Sequence, residues 1–478
     1  MAKKIITRFP PSPTGFVHVG SLRTALYNYL FAKKNNGKFY LRIEDTDQER
    51  KVEGAVKNLI KILEIFKIHW DNKKPMVQSE RIDIYKKFAK QLVKDGHAYY
   101  CFCTKERLDN LRQVQKQRGL PPMYDGKCEN LSEDEIKKNI DEGQSYVIRF
   151  KMPKTGNTEF TDLIRNKVSF DNKTLDDPII LKSDGFPTYH LASIIDDHEM
   201  EISHVIRGEE WLPSTPKHIA IYKAFGWEIP EFAHLPLLLN PDRSKLSKRQ
   251  GDVAVEDYLN KGYLPESLLN FVLLLGWNPG TDQEIFSLEE MIKIFDIAKV
   301  HKGGAIFNTE KLDWMNSEYI KKLEPKKFQE LAMPFLQKNI KDQIDSEKLD
   351  KILEIERERI NKLSEVGKNI KFLFTDSLSY DSEILVWKKS DATQTKNNLK
   401  TLIDFLDSLE DKDWTAETLS EKIINFIKEK NLTNGEILWP MRVALTGEQK
   451  SPPPFDIAEI LGKQKSLNRL NQAVSLLK

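Results

Sequence analysis

The hydrophobic positions at the start of the chain follow first the period of a strand and then that of a helix. Residues 5–9 (IITRF) are typical of a short buried strand, and the three prolines in residues 10–15 predict an irregular loop. From Ser21 the apolar positions recur at helical spacing, and strand alternation returns over residues 39–44. A second helical pattern begins at Val52. This order predicts neighbouring parallel strands, because a helical crossover joins strands that run the same way.

The rest of the chain divides into an interrupted α/β region and a helical region. Residues 80–190 have a mixed pattern with short turns, and strand and helix signals alternate again over residues 189–226. This predicts an insertion between two halves of one sheet. Beyond about residue 320 the strand signals end and amphipathic helices follow, with one predicted apolar stripe running from Ile352 to Ile370. The pattern therefore predicts an α/β protein with an all-α C-terminal region.

Charge and composition narrow the class of protein. The 478 residues include 74 basic and 72 acidic side chains, a formal net charge of +2, which excludes a polybasic nucleic-acid coat but allows a local basic stripe. With 40% hydrophobic and 31% charged residues the chain is typical of a globular protein. No apolar run approaches the roughly 20 residues of a membrane span. Three cysteines are too few for a disulfide framework, and a reducing cytoplasm is expected.

Two loops carry candidate phosphate-binding chemistry, although the chain contains neither GxxxxGK[ST] nor GxGxxG. His18–Ser21 lies between the first predicted strand and its helix, where free N–H groups and the helix dipole favour phosphate. Residues 243–251 place four cations and two hydroxyls in one loop, which suits a polyphosphate leaving group. Each loop alone is more often an ordinary turn or a solvated loop. The two together are a far more specific signal.

The chain resembles the bacterial-type glutamyl-tRNA synthetases, which belong to class I of the aminoacyl-tRNA synthetases. The resemblance covers nearly the whole chain and rests on motifs that match in order, at residues 8–15 (RFPPSPTG), 18–21 (HVGS), 41–47 (LRIEDTD), 162–165 (DLIR), 187–192 (PTYHLA), 205–211 (VIRGEEW), 245–249 (KLSKR) and 442–447 (RVALTG).

This resemblance implies a Rossmann-like parallel-sheet catalytic domain with an inserted α+β acceptor-binding domain and an all-α anticodon-binding region. The implied boundaries are residues 1–80 and 190–240 for the split catalytic domain, 81–189 for the inserted acceptor-stem-binding domain, 241–322 for a connecting domain with the second ATP motif, and 323–376 and 377–478 for two helical anticodon-binding domains.

The implied reaction is the ATP-dependent ligation of L-glutamate to tRNA-Glu through a glutamyl-adenylate, with release of pyrophosphate and AMP. Positioning and charge stabilisation dominate such chemistry, with Mg²⁺ bridging phosphate oxygens. By resemblance, His18 and Lys248 stabilise charge at the α-phosphate, and Lys245 assists the departing pyrophosphate. Gly20 packs under the adenine. Ser21 and Ser247 complete the implied ATP site, although the position of Ser21 varies in the family and its side chain receives no firm catalytic role.

Selecting glutamate over glutamine requires cations that an amide would leave unpaired. The resemblance and the fork geometry of guanidinium point to Arg8 and Arg207 for the γ-carboxylate. Tyr189 adds a hydroxyl donor, Glu44 holds the α-ammonium group, and Ser12 lines the pocket. Ser193 stands where the family often has asparagine, and this departure shortens a polar contact to the substrate.

Cys101, Cys103 and Cys128 have the cysteine spacing with which some members of this family bind zinc. Asn130 occupies the position of the usual histidine, and structural zinc requires four ligands. Tyr124 or His97 could replace the histidine. Two alternatives follow, a zinc site and three reduced thiols, and the missing histidine favours the thiols.

Other functions stay open at this stage. A glutaminyl-tRNA synthetase shares the catalytic domain, but Ser12, Arg207 and a helical rather than β-barrel C-terminal region argue against it. A short relative that modifies a tRNA base lacks the helical region, and an idle RNA-binding module would not need both phosphate loops. The expected partners are tRNA-Glu, glutamate and ATP, with no membrane and with tRNA-Gln as an open second substrate. A cytoplasmic monomer is expected.

Overall fold

A computed structural model describes residues 4–246, 254–341 and 344–478 of the chain. These residues divide into two compact units. The first contains residues up to 260 and 265–312, and the second contains residues 261–264 and 313–478. The predicted domain boundaries are finer than this division and stay predictions. Among the described residues, no helix combines the length and the hydropathy that crossing a bilayer requires.

The first unit is built from strands and helices that alternate along most of its length. Its strands are β1 (Ile6–Phe9), β2 (Lys38–Ile43), β3 (Met76–Val77), β4 (Ala98–Cys101), β5 (Val147–Phe150), β6 (Asn157–Asp162), β7 (Asn166–Asp171), β8 (Ile179–Leu181), β9 (His204–Gly208), β10 (Glu231–Leu235), β11 (Leu238–Leu239) and β12 (Ala305–Ile306). Its helices are α1 (Val19–Lys34), α2 (Ala55–Ile65), α3 (Ile82–Lys94), α4 (Lys105–Gln117), α5 (Glu133–Asp141), α6 (Tyr189–Glu199), α7 (Thr215–Ala224), α8 (Val255–Asn260), α9 (Pro265–Leu274) and α10 (Leu288–Ile294).

The central strands run parallel, as the sequence pattern predicts. β2 pairs in parallel with β1 and β3, while β10 pairs in parallel with β9 and β6. The two groups meet where the Ser203 N–H donates to the Ile6 carbonyl oxygen at 3.0 Å. Every side chain of β1 is buried, including those of Thr7 and Arg8, as expected for a parallel strand that is covered on both faces. The split-sheet prediction is therefore confirmed.

The residues between the two halves of the parallel sheet form their own antiparallel sheet. β5 pairs antiparallel with β4 and with β8, and this sheet packs on α3 and α6 through one apolar cluster. β6 and β7 form a hairpin at the edge of the parallel sheet, and Asn166 has a left-handed φ of 64° in its turn. The mixed pattern predicted for residues 80–190 corresponds to this α+β insertion.

The second unit is helical, and no strand occurs in those of its residues that the structure describes. Its helices are α11 (Thr309–Lys321), whose first turn lies in the first unit, α12 (Pro325–Asn339), α13 (Ser346–Arg357), α14 (Ala392–Asp407), α15 (Ala416–Glu429), α16 (Asn434–Thr446), α17 (Pro454–Leu461) and α18 (Lys463–Leu476). One apolar core joins them. The predicted all-α region is confirmed.

The predicted continuous stripe from Ile352 to Ile370 is wrong. α13 ends at Arg357, and the buried Glu356 carboxylate accepts a hydrogen bond from the Gly367 N–H at 2.7 Å. Gly367 has a left-handed φ of 82°, which a continuing helix cannot accommodate. Ile370 is nevertheless fully buried, because short turns bring it to the core that the helix does not reach. Apolar periodicity alone does not distinguish these two arrangements.

Candidate active site

A cavity of about 520 Å³ lies at the carboxyl ends of β1 and β9 in the first unit. In a parallel sheet these ends, together with helix N-termini, are the usual place for ligands. The wall contains most of the predicted site residues: Arg8, Ser12, His18, Gly20, Ser21, Glu44, Tyr189, Arg207 and Lys245. The structure therefore brings together residues that are far apart in the chain, since Arg8 and Lys245 both line this cavity.

His18 caps the N-terminus of α1. Its Nδ1 accepts hydrogen bonds from the Gly20 N–H at 3.1 Å and the Ser21 N–H at 3.3 Å, so the ring proton of neutral His18 lies on Nε2. Nε2 lies 3.1 Å from the Ser21 hydroxyl at the edge of the cavity. A Cβ at position 20 would lie 3.0 Å from the His18 ring, which explains the glycine. Histidine is not among the preferred N-cap residues, so the sequence did not reveal this cap.

Arg8 and Arg42 share one buried carboxylate below the cavity. Asp197 accepts from Arg8 Nε at 3.0 Å and Nη2 at 3.3 Å, and from Arg42 Nη1 at 2.6 Å. Burial disfavours ionisation of this carboxyl group, but the guanidinium groups of Arg42 and Arg8 hold the pKa of Asp197 below its ordinary value. This pairing fixes Arg8 at the floor of the cavity.

Arg8 has hydrogen-bonding capacity that the protein does not use. Its Nη1 is buried and has no partner among the described residues, while Nε and Nη2 both contact Asp197. A buried guanidinium nitrogen without an acceptor is costly, and Arg8 lines the cavity. Arg8 thus keeps one donor nitrogen without an acceptor in a residue that lines the cavity.

Glu44 follows β2 and is held by Arg42. Arg42 donates to Glu44 Oε1 from Nη2 at 2.8 Å and from Nε at 3.2 Å, whereas Oε2 contacts no donor in the described part of the chain. Burial raises the pKa of Glu44, and Arg42 opposes this shift. The site thus places one acidic oxygen at the cavity wall, close to the guanidinium of Arg8.

Arg207, at the end of β9, uses all five of its N–H groups. Its partners are all uncharged acceptors, and no carboxylate contacts it within the described residues. They are His234 Nε2 at 3.1 Å, the Tyr189 hydroxyl at 2.9 Å, His218 Nδ1 at 3.2 Å, the Trp211 carbonyl oxygen at 3.3 Å and the Thr215 hydroxyl at 2.9 Å.

Tyr189 connects Arg207 to the cavity. Because its oxygen accepts from Arg207 Nη1, the hydroxyl proton is directed to another acceptor. Its ring packs on that of Trp211, with 4.3 Å between the centroids. Ser193 lies elsewhere: it is buried, its hydroxyl donates to the Tyr189 carbonyl oxygen at 2.7 Å, and it is not in the cavity wall. Its predicted glutamate contact stays a prediction.

Residues 243–246 are the described part of the second phosphate loop, and Lys245 is the one of them predicted to contact ATP. A backbone bridge to Leu239 and the hydrogen bond from the Leu246 N–H to the Leu238 carbonyl oxygen hold it beside the cavity. Its side chain is exposed and lines the wall. Ser247 and Lys248 lie outside the described residues, so their predicted roles stay predictions.

The three cysteines form a separate cluster in the inserted region. Their sulfur atoms lie within 4.8 Å of one another, and the Tyr124 hydroxyl lies 3.4 Å from Cys101 Sγ and 3.5 Å from Cys103 Sγ. The hydrogen bond from the Cys128 thiol, with further donors from Tyr124 and Arg149, lowers the pKa of Cys101 to about 4 although burial opposes it. This environment stabilises a thiolate.

The predicted substitutes for the missing histidine have different positions. Tyr124 touches the cluster, whereas His97 and Asn130 are exposed and have no contact with the sulfur atoms in the described structure. Arg149 stacks 4.0 Å from the centre of the Tyr124 ring and donates to Cys101 Sγ at 3.4 Å. Both predicted alternatives, a zinc site and three reduced thiols, are compatible with this geometry.

Sequence reasoning missed two residues that hold the site arginines. Asp197 is 189 positions from Arg8, and His234 is 27 positions from Arg207. Neither lies in a quoted motif, and no local spacing connects them to their partners. The sequence did contain one signal for such residues. Two arginines were assigned to a buried pocket, and buried charges require partners, so further polar residues had to lie beside them.

Comparisons with known proteins find the same kind of relative along nearly the whole chain. The family profile "tRNA synthetases class I (E and Q), catalytic domain" matches residues 4–314, and the profile "Anticodon binding domain" matches residues 327–474. A glutamate–tRNA ligase from Clostridium botulinum strain Hall is 46% identical over 487 aligned residues, covering 100% of this chain and 99% of that protein. A glutamate–tRNA ligase from Clostridium novyi is 47% identical with the same coverage.

Solved structures agree in fold as well. The crystal structure of a glutamate tRNA ligase from Elizabethkingia meningosepticum, in complex with its amino acid, matches with a TM-score of 0.88 and 40% identity, over 99% of this chain and 100% of that one. A glutamate-tRNA synthetase from Elizabethkingia anophelis matches with a TM-score of 0.89 and 39% identity, with the same coverage.

The shared carboxylate generates a stability prediction. Asp197→Ala leaves two buried guanidinium groups without their common partner, and should lower the free energy of unfolding of the first unit by about 3–5 kcal/mol. Calorimetry of the full-length chain measures the loss. The matched control is Asp109→Ala, which removes an exposed carboxylate paired with Arg112 at 2.9 Å and should leave the transition nearly unchanged. If the two substitutions lowered the free energy of unfolding equally, the pairing of Asp197 with Arg8 and Arg42 would not stabilise the fold.

Proposed function

This chain belongs to the glutamate–tRNA ligases of the class I tRNA synthetases, and from that premise we propose that it ligates L-glutamate to tRNA-Glu with ATP. One observation carries the proposal: the wall of one cavity contains both Arg8, which has an unused guanidinium nitrogen, and the N-terminus of α1. A carboxylate suits the first group and a phosphate suits the second.

The proposed reaction has two displacements. An oxygen of the glutamate α-carboxylate attacks the α-phosphorus of ATP, the bond to the bridging oxygen breaks, and pyrophosphate leaves. A hydroxyl of the terminal tRNA ribose then attacks the carbonyl carbon of the adenylate, and AMP leaves with the electron pair of the broken acyl bond. Neither step needs a nucleophile from the enzyme, so the residues act by positioning and by stabilising charge.

We assign the ATP end of the cavity to the first turn of α1 and to the second phosphate loop. His18 carries its ring proton on Nε2, beside the Ser21 hydroxyl, because Nδ1 caps the Gly20 and Ser21 N–H groups. Together with the positive end of the helix dipole, this donor suits the developing charge on the α-phosphate. Gly20 leaves room for the adenine, and Ser21 lies next to the imidazole. By resemblance, Lys248 would act with His18 at the α-phosphate and Ser247 would complete the ATP site, while Lys245 would stabilise the departing pyrophosphate. Mg²⁺ would accompany ATP and bridge its phosphate oxygens.

We assign the glutamate end to the residues around Arg8. Its unused Nη1 donates to the γ-carboxylate, and the Tyr189 hydroxyl, oriented by Arg207, supplies a second donor. Glu44 Oε2 is suited to the α-ammonium group because Arg42 occupies only Oε1. Ser12 lines the same wall. These donors would leave the nitrogen of a glutamine amide without an acceptor, which is the basis of selectivity.

The proposed partners follow from the domain organisation. Residues 81–189 would bind the acceptor stem, residues 241–322 would form a connecting domain that contacts the tRNA stem and carries the second ATP motif, and the helical domains at 323–376 and 377–478 would bind the anticodon. We further propose a cytoplasmic monomer. Charging of tRNA-Gln in addition to tRNA-Glu would make the enzyme non-discriminating.

The function is tested by charging purified tRNA-Glu and tRNA-Gln side by side with labelled glutamate. We expect ATP-dependent esterification of tRNA-Glu, and pyrophosphate exchange measured with and without tRNA to show the adenylate step. Absence of glutamate transfer to both tRNAs would refute the proposal. Transfer to tRNA-Gln as well would extend the substrate range without changing the chemistry.

His18 offers a test that separates catalysis from helix capping. Asn at position 18 keeps a side-chain acceptor for the Gly20 and Ser21 N–H groups but has no atom at the position of Nε2. We expect His18→Asn to slow single-turnover adenylate formation by about 10²-fold, as for other lost donors, with unchanged thermal stability. His18→Ala should lose stability as well, because the cap is lost. A normal rate in His18→Asn would remove the imidazole from the mechanism.

We propose zinc as the ligand of the cysteine cluster, because three sulfur donors converge and the protein stabilises a thiolate there. Cys101, Cys103 and Cys128 would hold the ion, with Tyr124 as the nearest further donor. Zinc would stabilise the fold of the insertion and take no part in the reaction.

The zinc proposal is tested by metal analysis of the full-length chain after dialysis. We expect one zinc per chain, lost in Cys128→Ser and retained in His97→Ala, which removes a histidine outside the cluster. A preparation that takes up no zinc when the metal is supplied would establish the reduced-thiol alternative.

A further inference from the structure

Asp162 and His234 form a fully buried pair next to Arg207. Asp162 Oδ2 lies 2.6 Å from His234 Nδ1, and His234 Nε2 lies 3.1 Å from Arg207 Nε. Both side chains have no exposed surface. The three groups form a line from a carboxylate through an imidazole to the guanidinium.

The hydrogen bonds in this line fix the imidazole tautomer. A guanidinium nitrogen only donates, so His234 Nε2 must be the acceptor and the ring proton must lie on Nδ1. A carboxylate is the partner that stabilises a proton on Nδ1. Burial lowers the pKa of His234, and the charge on Arg207 adds to this effect, which keeps the ring neutral although Asp162 opposes the shift.

Backbone N–H groups hold the Asp162 carboxylate in place. Oδ1 accepts from the N–H groups of Ile164 and Arg165, each at 2.9 Å, which leaves Oδ2 towards His234 Nδ1. These backbone donors belong to the turn between β6 and β7. The turn therefore determines the direction in which His234 presents its lone pair.

A second neutral imidazole, that of His218, also accepts a hydrogen bond from Arg207. His218 Nδ1 lies 3.2 Å from Arg207 Nη1, so His218 carries its proton on Nε2, which lies 3.2 Å from His190 Nδ1. Burial lowers the pKa of His218 well below its ordinary value. Arg207 is thus held by neutral acceptors, and its charge is not cancelled by a direct carboxylate contact among the described residues.

The orientation of Arg207 determines whether the Tyr189 hydroxyl acts towards the cavity as a hydrogen-bond donor or as an acceptor. While Arg207 Nη1 donates to the Tyr189 oxygen, the hydroxyl is committed to donating its own proton, and the glutamate end of the cavity offers donors from both Tyr189 and Arg8. If Arg207 turns away, the Tyr189 oxygen becomes free to accept from an amide N–H. A glutamine side chain would then be satisfied where it is now rejected.

We propose that Asp162 and His234 are positioning residues that hold Arg207, through one imidazole tautomer, in the orientation that selects a carboxylate side chain over an amide. This inference rests on the proposed glutamate ligase function and adds residues that touch no substrate. It predicts that a change of one oxygen to nitrogen at Asp162, remote from the cavity wall, alters substrate choice.

The sharpest variant is Asp162→Asn. Its amide oxygen can keep the two backbone N–H bonds, which places the NH₂ group against His234 Nδ1 and forces the ring proton to Nε2, facing Arg207. Thr215 can accept that proton, but Arg207 Nε then has no acceptor. We expect KM for glutamate to rise by about 10-fold or more, kcat/KM for glutamate relative to glutamine to fall by about 10-fold, and KM for ATP to stay within about 2-fold.

His234 offers a matched pair of variants. Gln at position 234 places an acceptor oxygen near the position of Nε2 and can keep the bond from Arg207, whereas Asn reaches only the position of Nδ1. We expect His234→Gln to preserve more of the preference for glutamate than His234→Asn. The control Asp177→Asn changes another buried carboxylate, which contacts Tyr99 and Met152 rather than Arg207, and should leave the preference unchanged.

The tautomer is measured independently of activity from the ¹⁵N shifts of histidine rings in the full-length chain, with His234→Asn assigning the signal. We expect the Nδ1–H form in the wild type and the Nε2–H form in Asp162→Asn. An unchanged tautomer, or a changed tautomer with unchanged glutamate selectivity, overturns the inference while wild-type charging still stands. A wild type that charges no glutamate overturns the proposed function instead.

Discussion

Three guanidinium groups are buried at the carboxyl ends of the parallel strands, and the arrangement of the first unit depends on how their charges are compensated. Arg8, Arg42 and Arg207 are 1%, 0% and 5% exposed. Removing an ion from water costs several kcal/mol even after the protein relaxes, so each charge needs well-placed partners. Asp197 serves Arg8 and Arg42 together, while Arg207 relies on uncharged acceptors.

The hydrogen bonds of these arginines are less complete than their charge balance. Arg42 is paired with Glu44 as well as with Asp197, whereas Arg8, a residue of the cavity wall, keeps one nitrogen without an acceptor. A substrate carboxylate would supply the missing acceptor. This hydrogen bond would therefore form only in the bound state, and an amide nitrogen could not accept it.

Local features of the fold were predictable from the sequence, and long-range ones were not. The strand Lys38–Ile43 was visible because apolar and polar residues alternate along it, and the helix before it was visible because apolar residues recur at helical spacing. The motifs also identified Arg8, Glu44, Tyr189 and Arg207, which the structure places around one cavity.

The contacts of Asp197 and His234 were not visible, because they form across the sheet between segments with no shared period. The end of α13 was missed for a related reason. Glu356 bonds to the backbone at Gly367, and a count of apolar positions does not register this contact.

The backbone contact between Ile6 and Ser203 has a consequence for how the molecule forms. β1 receives its neighbour β9 only after 197 further positions of chain, including the whole α+β insertion. Closing so long a loop costs little more than closing a shorter one, but it makes folding slow, since non-local strand pairing must wait for its partner. During synthesis the first βαβ segment therefore emerges with one edge of its sheet uncovered. The insertion shares its apolar core with α6 and α7, so its packing is completed only after the chain has been made through Tyr222.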